Sequence, residues 1–194
     1  MGATLILVNG HSASGKTVLA RWLGEQLGVP VTSKDFYKER LYDERAPVDR
    51  EESREYGQRA YELAYAEAER VLRSGASVIL DAPMQREYSQ GRVEAIVEAT
   101  GAGAVQVLLV ADRATLEARY LERQQSAGRH AGHDVGFTRE WLAEAFVAPF
   151  PGLEVERTIE VDTSDFGAVD RGAILARLLG WLGGETGAES GGAV

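Results

Sequence analysis

The sequence predicts an α/β fold, a five-stranded parallel sheet flanked by helices. Three observations carry that expectation. Short, continuously apolar runs recur along the 194-residue chain, as in strands buried on both faces. Segments of helical period lie between them, so strand and helix alternate. A glycine-rich loop separates the first strand from the first helix.

Thr4-Leu5-Ile6-Leu7-Val8 is the first such run. After the loop, Val18, Leu19, Trp22, Leu23 and Leu27 recur at helical spacing, and Gly28 stands where that helix should stop. A weak second strand is expected over 29–33. A long helix is expected over 49–73, opened by an Asp-x-x-Glu capping box at Asp49 and Glu52. Leu63, Ala64, Ala68, Val71 and Leu72 form its apolar stripe, and Gly75 ends it. Tyr56, Tyr61 and Tyr65 lie on it and read first as core, with pocket lining as the alternative.

Residues 77–80 are a third strand, followed by a helix over 88–99 and a fourth strand over 105–110. A helix over 114–125 turns Leu116, Tyr120 and Ala118 inward. Residues 126–136 have no apolar period and read as a loop. Thr138 caps a short helix through Phe146. A fifth strand is expected over 158–161 and a last helix over 169–182. The glycine-rich stretch 183–194 reads as a disordered tail, leaving one domain over 1–182.

Composition narrows the function. The chain has no cysteine, which excludes disulfides, thiolate zinc sites and thiol catalysis. Three histidines are little material for a metal site. A net charge of −9 disfavours nucleic acid as a partner. No apolar run is long enough to span a membrane, and there is no signal-like N-terminus, so the expected location is the cytoplasm. The oligomeric state is not legible.

The loop Gly10-His11-Ser12-Ala13-Ser14-Gly15-Lys16-Thr17 fits G-x-x-x-x-G-K-[ST] without departure. Glycines let successive N–H groups face one anion, and the following helix adds its positive end. Lys16 supplies a mobile charge for the β and γ phosphates, and Thr17 a hydroxyl for a metal ion. ATP with Mg²⁺ is therefore expected, held by Gly10, Ser12, Ala13, Ser14, Gly15, Lys16, Thr17 and Val18. Guanine is not favoured: Val110-Ala111-Asp112-Arg113 stands where an Asn-Lys-x-Asp motif would follow the fourth strand.

Asp81 closes an apolar strand, the place of a carboxylate that holds magnesium with Thr17; the alternative is a cap before Pro83. Asp35 follows the second strand and suits a general base, or else an N-cap for residues 36–41. Arg119 and Arg123 share one helix face at i and i+4, and Arg129, His130 and His133 follow in a loop. Such cations suit a lid over transferring phosphate, and the alternative is a solvated charged face. Arg86 or Gln85 is placed to face an acceptor.

Together the loop, Ser33-Lys34-Asp35, Val78-Ile79-Leu80-Asp81 and Arg119-x-x-x-Arg123 resemble the small P-loop kinases, most closely the chloramphenicol phosphotransferase-like and zeta-toxin-like group. The resemblance implies a three-layer P-loop NTPase fold with strand order 2-3-1-4-5 and a lid, here about 126–137. It implies ATP-dependent phosphorylation of a hydroxyl on a small molecule such as an antibiotic, sugar, nucleotide sugar or nucleoside. By that likeness Asp35 is the base, Arg119 packs on adenine, Arg123 contacts phosphate, and Thr163 lies in the loop bordering adenine. Alternatives are a polynucleotide 5′-kinase and a regulatory ATPase with no acceptor.

Overall fold

The computed structural model describes residues 2–47, 49–126, 130–133, 142 and 144–183. Its elements are β1 (Thr4–Gly10), α1 (Lys16–Leu27), β2 (Val31–Ser33), α2 (Lys34–Glu44), α3 (Arg50–Arg73), β3 (Val78–Asp81), α4 (Arg86–Thr100), β4 (Gly103–Val110), α5 (Arg113–Gln125), a 3₁₀ turn (Ala131–His133), β5 (Thr158–Asp162) and α6 (Arg171–Leu182). The five strands are parallel in the order β2-β3-β1-β4-β5, as expected.

β1 lies in the middle and is apolar on both sides because both sides are covered. Leu5 and Leu7 face Ala64, Ala68 and Leu72 of α3 and Val93 and Ile96 of α4. Ile6 and Val8 point the other way, towards Leu19 and Leu23 of α1 and Ile174 and Leu178 of α6. The period of two along the strand thus divides its side chains between two cores. A smaller cluster of Ala13, Leu116, Tyr120, Leu142 and Phe146 supports the loop after β1.

Asp49 caps α3 by accepting the Glu52 N–H at 2.9 Å, and the Glu52 carboxylate pairs with Arg45. The helix runs from Arg50 to Arg73, close to the expected bounds. Two inward assignments are corrected. Leu63 is 38% exposed, because the buried stripe of α3 runs through Ala60, Ala64, Ala68 and Val71. Ala118 is exposed, because only Leu116 and Tyr120 of α5 face inward. α2 was not expected as a helix of this length; it starts at Lys34, directly off β2, and carries Asp35 in its first turn. The 3₁₀ turn falls within the expected loop. Arg129, most of the lid, most of the short helix over 138–146 and the stretch 184–194 lie outside the described residues.

Candidate functional site

Register brings the strand ends together. Ser33 lies beside Asp81, and Val8 beside Asp81, so the carboxyl ends of β2, β3 and β1 converge. In open α/β sheets this is the ligand edge.

The loop after β1 takes its shape from a few residues. Gly10 has φ 139°, where a β-carbon would overlap the Leu109 carbonyl. Gly15 has φ 92°, and a β-carbon there would come within 2.5 Å of the Phe166 ring. Ala13 is the one non-glycine described with positive φ, at 66°. Such a backbone costs about 1–3 kcal/mol and persists where its surroundings hold it. Thr163 helps to hold it: fully buried, its hydroxyl donates to the Ser14 carbonyl at 3.0 Å. Asn9, also fully buried, accepts the Gly10 N–H at 2.8 Å and the Met84 N–H at 2.7 Å, and donates to the Met84 carbonyl at 3.0 Å. This amide pins the start of the loop to the segment after β3.

Lys16 opens α1 and turns back to donate to the His11 carbonyl at 2.6 Å. Thr17 donates to Asp81 Oδ2 at 2.8 Å, and Ser33 to the same oxygen at 3.4 Å. Asp35 pairs with Lys34 at 3.0 Å. A cavity of about 550 Å³ collects Ser12, Lys16, Thr17, Asp35 and Asp81, with Arg119, Arg123 and Phe166 at its other wall. Ala13, Gly15 and the 55%-exposed Val18 also reach it. Ser14 and Thr163 are buried behind it and support the loop from beneath. Arg119 donates to the Ser164 carbonyl at 3.2 Å, and its other terminal nitrogen is buried without a partner among the described residues. A second cavity of about 720 Å³ shares Thr17, Asp35, Asp81, Arg123 and His133 with the first.

The electrostatics are those of a cation cluster short of anions. Burial lowers the Lys16 ammonium to about 8; Asp81 and Asp35 oppose this, while Arg123 and Lys34 add to it by repulsion. Burial raises the Asp81 carboxyl, and Lys16 and the Thr17 hydroxyl oppose that rise. Burial pushes Asp35 up, but Lys34, then His133 and Lys16, outweigh it and hold the group at about 2. A polyanion entering the cavity would relieve the repulsion among Lys16, Lys34 and Arg123. Thr17 and Asp81 offer hard oxygen donors side by side. The described residues hold no cluster of three or more His, Cys, Asp or Glu, so a cation here would take further ligands from phosphate oxygens and water.

His130 bonds Asp43 at 3.0 Å and His133 bonds Glu39 at 2.7 Å, both on α2, while His133 also lines the first two cavities. Arg86 is held by Glu154 at 2.8 Å, leaving Gln85 as the one of the pair that faces a cavity. Three site residues escape the sequence reading, and a fourth, Tyr61, enters it only as the alternative. Asn9 is a polar side chain closing an apolar run, and Phe166 an aromatic in a loop of Asp, Ser and Gly, so both carried a faint signal. Lys34 was visible only as a neighbour of Asp35. Tyr61 was weighted to the core but lines a cavity, its hydroxyl donating to the Pro83 carbonyl at 2.7 Å.

The fold and this edge define a P-loop protein of kinase type. The chain belongs to the AAA_33 family (AAA domain), whose model matches residues 5–135. A provisionally assigned kinase of Chloroflexus aurantiacus is 29% identical, with TM-score 0.87, covering 96% of this chain and 100% of that one. A gluconokinase of Sinorhizobium meliloti 1021 shares the fold at 19% identity and TM-score 0.55, covering 96% and 98%. The APS kinase of Mycobacterium tuberculosis, solved with AMPPNP and APS, does so at 14% and 0.59, covering 94% and 98%. No curated protein matches the sequence. The narrower likeness to chloramphenicol phosphotransferases is not among these findings. No helix of the described residues is long and apolar enough to cross a membrane.

Proposed function

We propose that the protein is an ATP-dependent kinase that transfers the γ-phosphate to a hydroxyl of a small molecule, with Asp35 as general base. The observation that carries this reading is the meeting of Lys16, Thr17, Asp35 and Asp81 in one cavity with Arg119 and Arg123. A protein that only held nucleotide would not need Asp35 there.

Lys16 and the loop N–H groups receive the β and γ phosphates, and the positive end of α1 adds to the attraction. Arg119 and Phe166 flank the space left for the adenine, where a guanidinium and an aromatic ring both stack well on a base. Thr17 and Asp81 suit Mg²⁺, which when bound would offset charge on the phosphate oxygens. Arg123, with Arg129 of the expected lid, serves the charge that develops on the transferring group. The acceptor oxygen forms a bond to the γ-phosphorus as the bond to the β-bridging oxygen breaks; ADP leaves, and the hydroxyl proton passes to an Asp35 oxygen. A carboxyl near 2 is a weak base, but it is fully ionised at neutral pH. In a loose phosphoryl transfer the base mainly orients the hydroxyl and takes its proton late. The expected domain, 1–182 with the lid at 126–137, is the unit to which this activity is assigned.

Asp35→Asn is the test. ATP-dependent phosphorylation of an accepted alcohol should fall by roughly 100-fold or more, in the range of a lost general base, while nucleotide affinity stays within about twofold. Unchanged transfer would remove Asp35 from the mechanism. ADP release that never depends on any alcohol would favour a regulatory ATPase.

A further inference from the structure

A third cavity, of about 580 Å³, adjoins the nucleotide cavity at Ser12 and Pro83. From its lining we infer that the acceptor is an uncharged, hydroxyl-bearing molecule with an aromatic or other flat ring. The inference rests on the kinase reading, with this cavity holding the acceptor's ring while its hydroxyl reaches Asp35 in the adjoining nucleotide cavity.

The volume lies in the range that encloses small ligands. Six of the fifteen lining residues carry aromatic rings: Tyr61 and Tyr65 stack with centroids 6.0 Å apart, Phe146 and Phe150 meet the His11 ring edge-on at 5.3 Å and 5.0 Å, and Tyr88 is the sixth. Tyr88 stands at the cavity 76% exposed, so its ring is open to contact from the cavity side. Flat faces of this kind grip rings by offset or edge contacts.

The polar lining is almost neutral. Among the described lining residues Arg54 and Glu62 are the formal charges, one of each sign. The His11 Nε2 faces the Ala148 carbonyl at 3.0 Å, so it is the protonated nitrogen and Nδ1 is the acceptor. Burial lowers the pKa of this ring, the hydrogen bond to Ala148 opposes the shift and Lys16 adds to it, so the neutral form is favoured. The Lys34 ammonium stands 5.8 Å from the Tyr61 ring centroid, but it is paired to Asp35. A carboxylate, sulfate or phosphate on the acceptor would meet the single cation Arg54, offset by Glu62, rather than the several cations that make its desolvation tolerable. Gln58, Gln85 and Ser89 instead offer neutral donors and acceptors suited to hydroxyls.

Gly57 gives a clean probe. It sits inside α3 on this wall, and a β-carbon there meets nothing within 4 Å. Gly57→Phe should place a ring at the cavity from a β-carbon that meets no atom, and should not weaken the helix. Binding of three probes to the full chain with AMPPNP and Mg²⁺ is measured by calorimetry: methyl β-glucoside, phenyl β-glucoside and phenyl β-glucuronide. The phenyl glucoside should bind at least about tenfold more tightly than either other probe, the scale of one ring contact or one unpaired charge. Gly57→Phe should remove that binding and leave AMPPNP affinity within about twofold, and Tyr88→Ala should cut the phenyl advantage severalfold. Equal or tighter binding of the glucuronide, no advantage of phenyl over methyl, or no binding of the phenyl glucoside overturns the inference. Loss of AMPPNP affinity in Gly57→Phe also overturns it, because the cavity would then belong to the nucleotide. A wild-type chain that fails to bind AMPPNP, or binds the phenyl glucoside but never phosphorylates any alcohol, overturns the kinase reading instead.

Discussion

Lys16 shows how one side chain joins binding to pH. Its ammonium is lowered to about 8 by burial and by neighbouring cations. Arriving phosphates favour the charged form and should raise that value. At pH 6.5 the lysine is charged with or without nucleotide, so binding should move almost no proton through it. At pH 9 it is mostly neutral when free and charged when bound, so binding should take up close to one proton. Calorimetry of AMPPNP binding in buffers of differing ionisation enthalpy measures this directly; equal, negligible uptake at both values would mean Lys16 does not meet the phosphates. Lys16→Ala should abolish the uptake, and nucleotide binding or turnover with it; wild-type turnover in that variant would defeat the assignment of the loop. Thr17, Asp81 and Lys16 were all legible because each is fixed by a short contiguous pattern. Phe166 and Asn9 were not, because their partners lie far along the chain: Phe166 against Gly15, and Asn9 against Met84 and Gln106.

At the scale of elements, the loop depends on its anchors as much as on its glycines. Asn9 joins β1 to the segment between β3 and α4 and also donates to Gln106 of β4 at 3.1 Å. Asn9→Leu would leave the Gly10 and Met84 N–H groups without that acceptor in a dry interior. The expected loss is about 2–4 kcal/mol, at roughly 1–3 kcal/mol for each buried group left unpaired. Denaturant unfolding reads it; a loss below about 0.5 kcal/mol would mean that water or a rearranged backbone replaces the amide. The strands and long helices were legible because burial on two faces leaves continuous apolar runs and α3 has a capping box. α2 was not, because its sequence lacks an apolar stripe: Leu41 is its only buried residue. Its helicity comes instead from packing against α3 and the 3₁₀ turn, where His130 and His133 reach Asp43 and Glu39. Such long-range pairs leave no period to read.

At the scale of the whole molecule, the net charge of −9 sets which acceptors are repelled. A neutral acceptor releases no condensed counterions, so its KM should change by less than about twofold between 50 and 300 mM salt, approximate bounds chosen to expose that effect. A polynucleotide acceptor would instead show a steep rise in KM with salt, and steady-state kinetics at three salt concentrations separates the two. The strand order was legible only through resemblance, since no local pattern states which strands pair. The cavity inferred for the acceptor was not legible because it draws on the loop after β1, α3, the start of α4 and residues 145–150 together.

The central position of β1 also bears on how the chain is made. This strand leaves the ribosome before every other strand of the sheet, yet Leu5 pairs with Val78 and Thr4 with Gly103. At about 5–20 residues per second, those partners follow roughly 4–20 s later. Until then Leu5, Ile6, Leu7 and Val8 form a bare, sticky segment on a nascent chain. The residues that place the phosphate loop so firmly in the finished protein are thus the ones most in need of shelter during its synthesis.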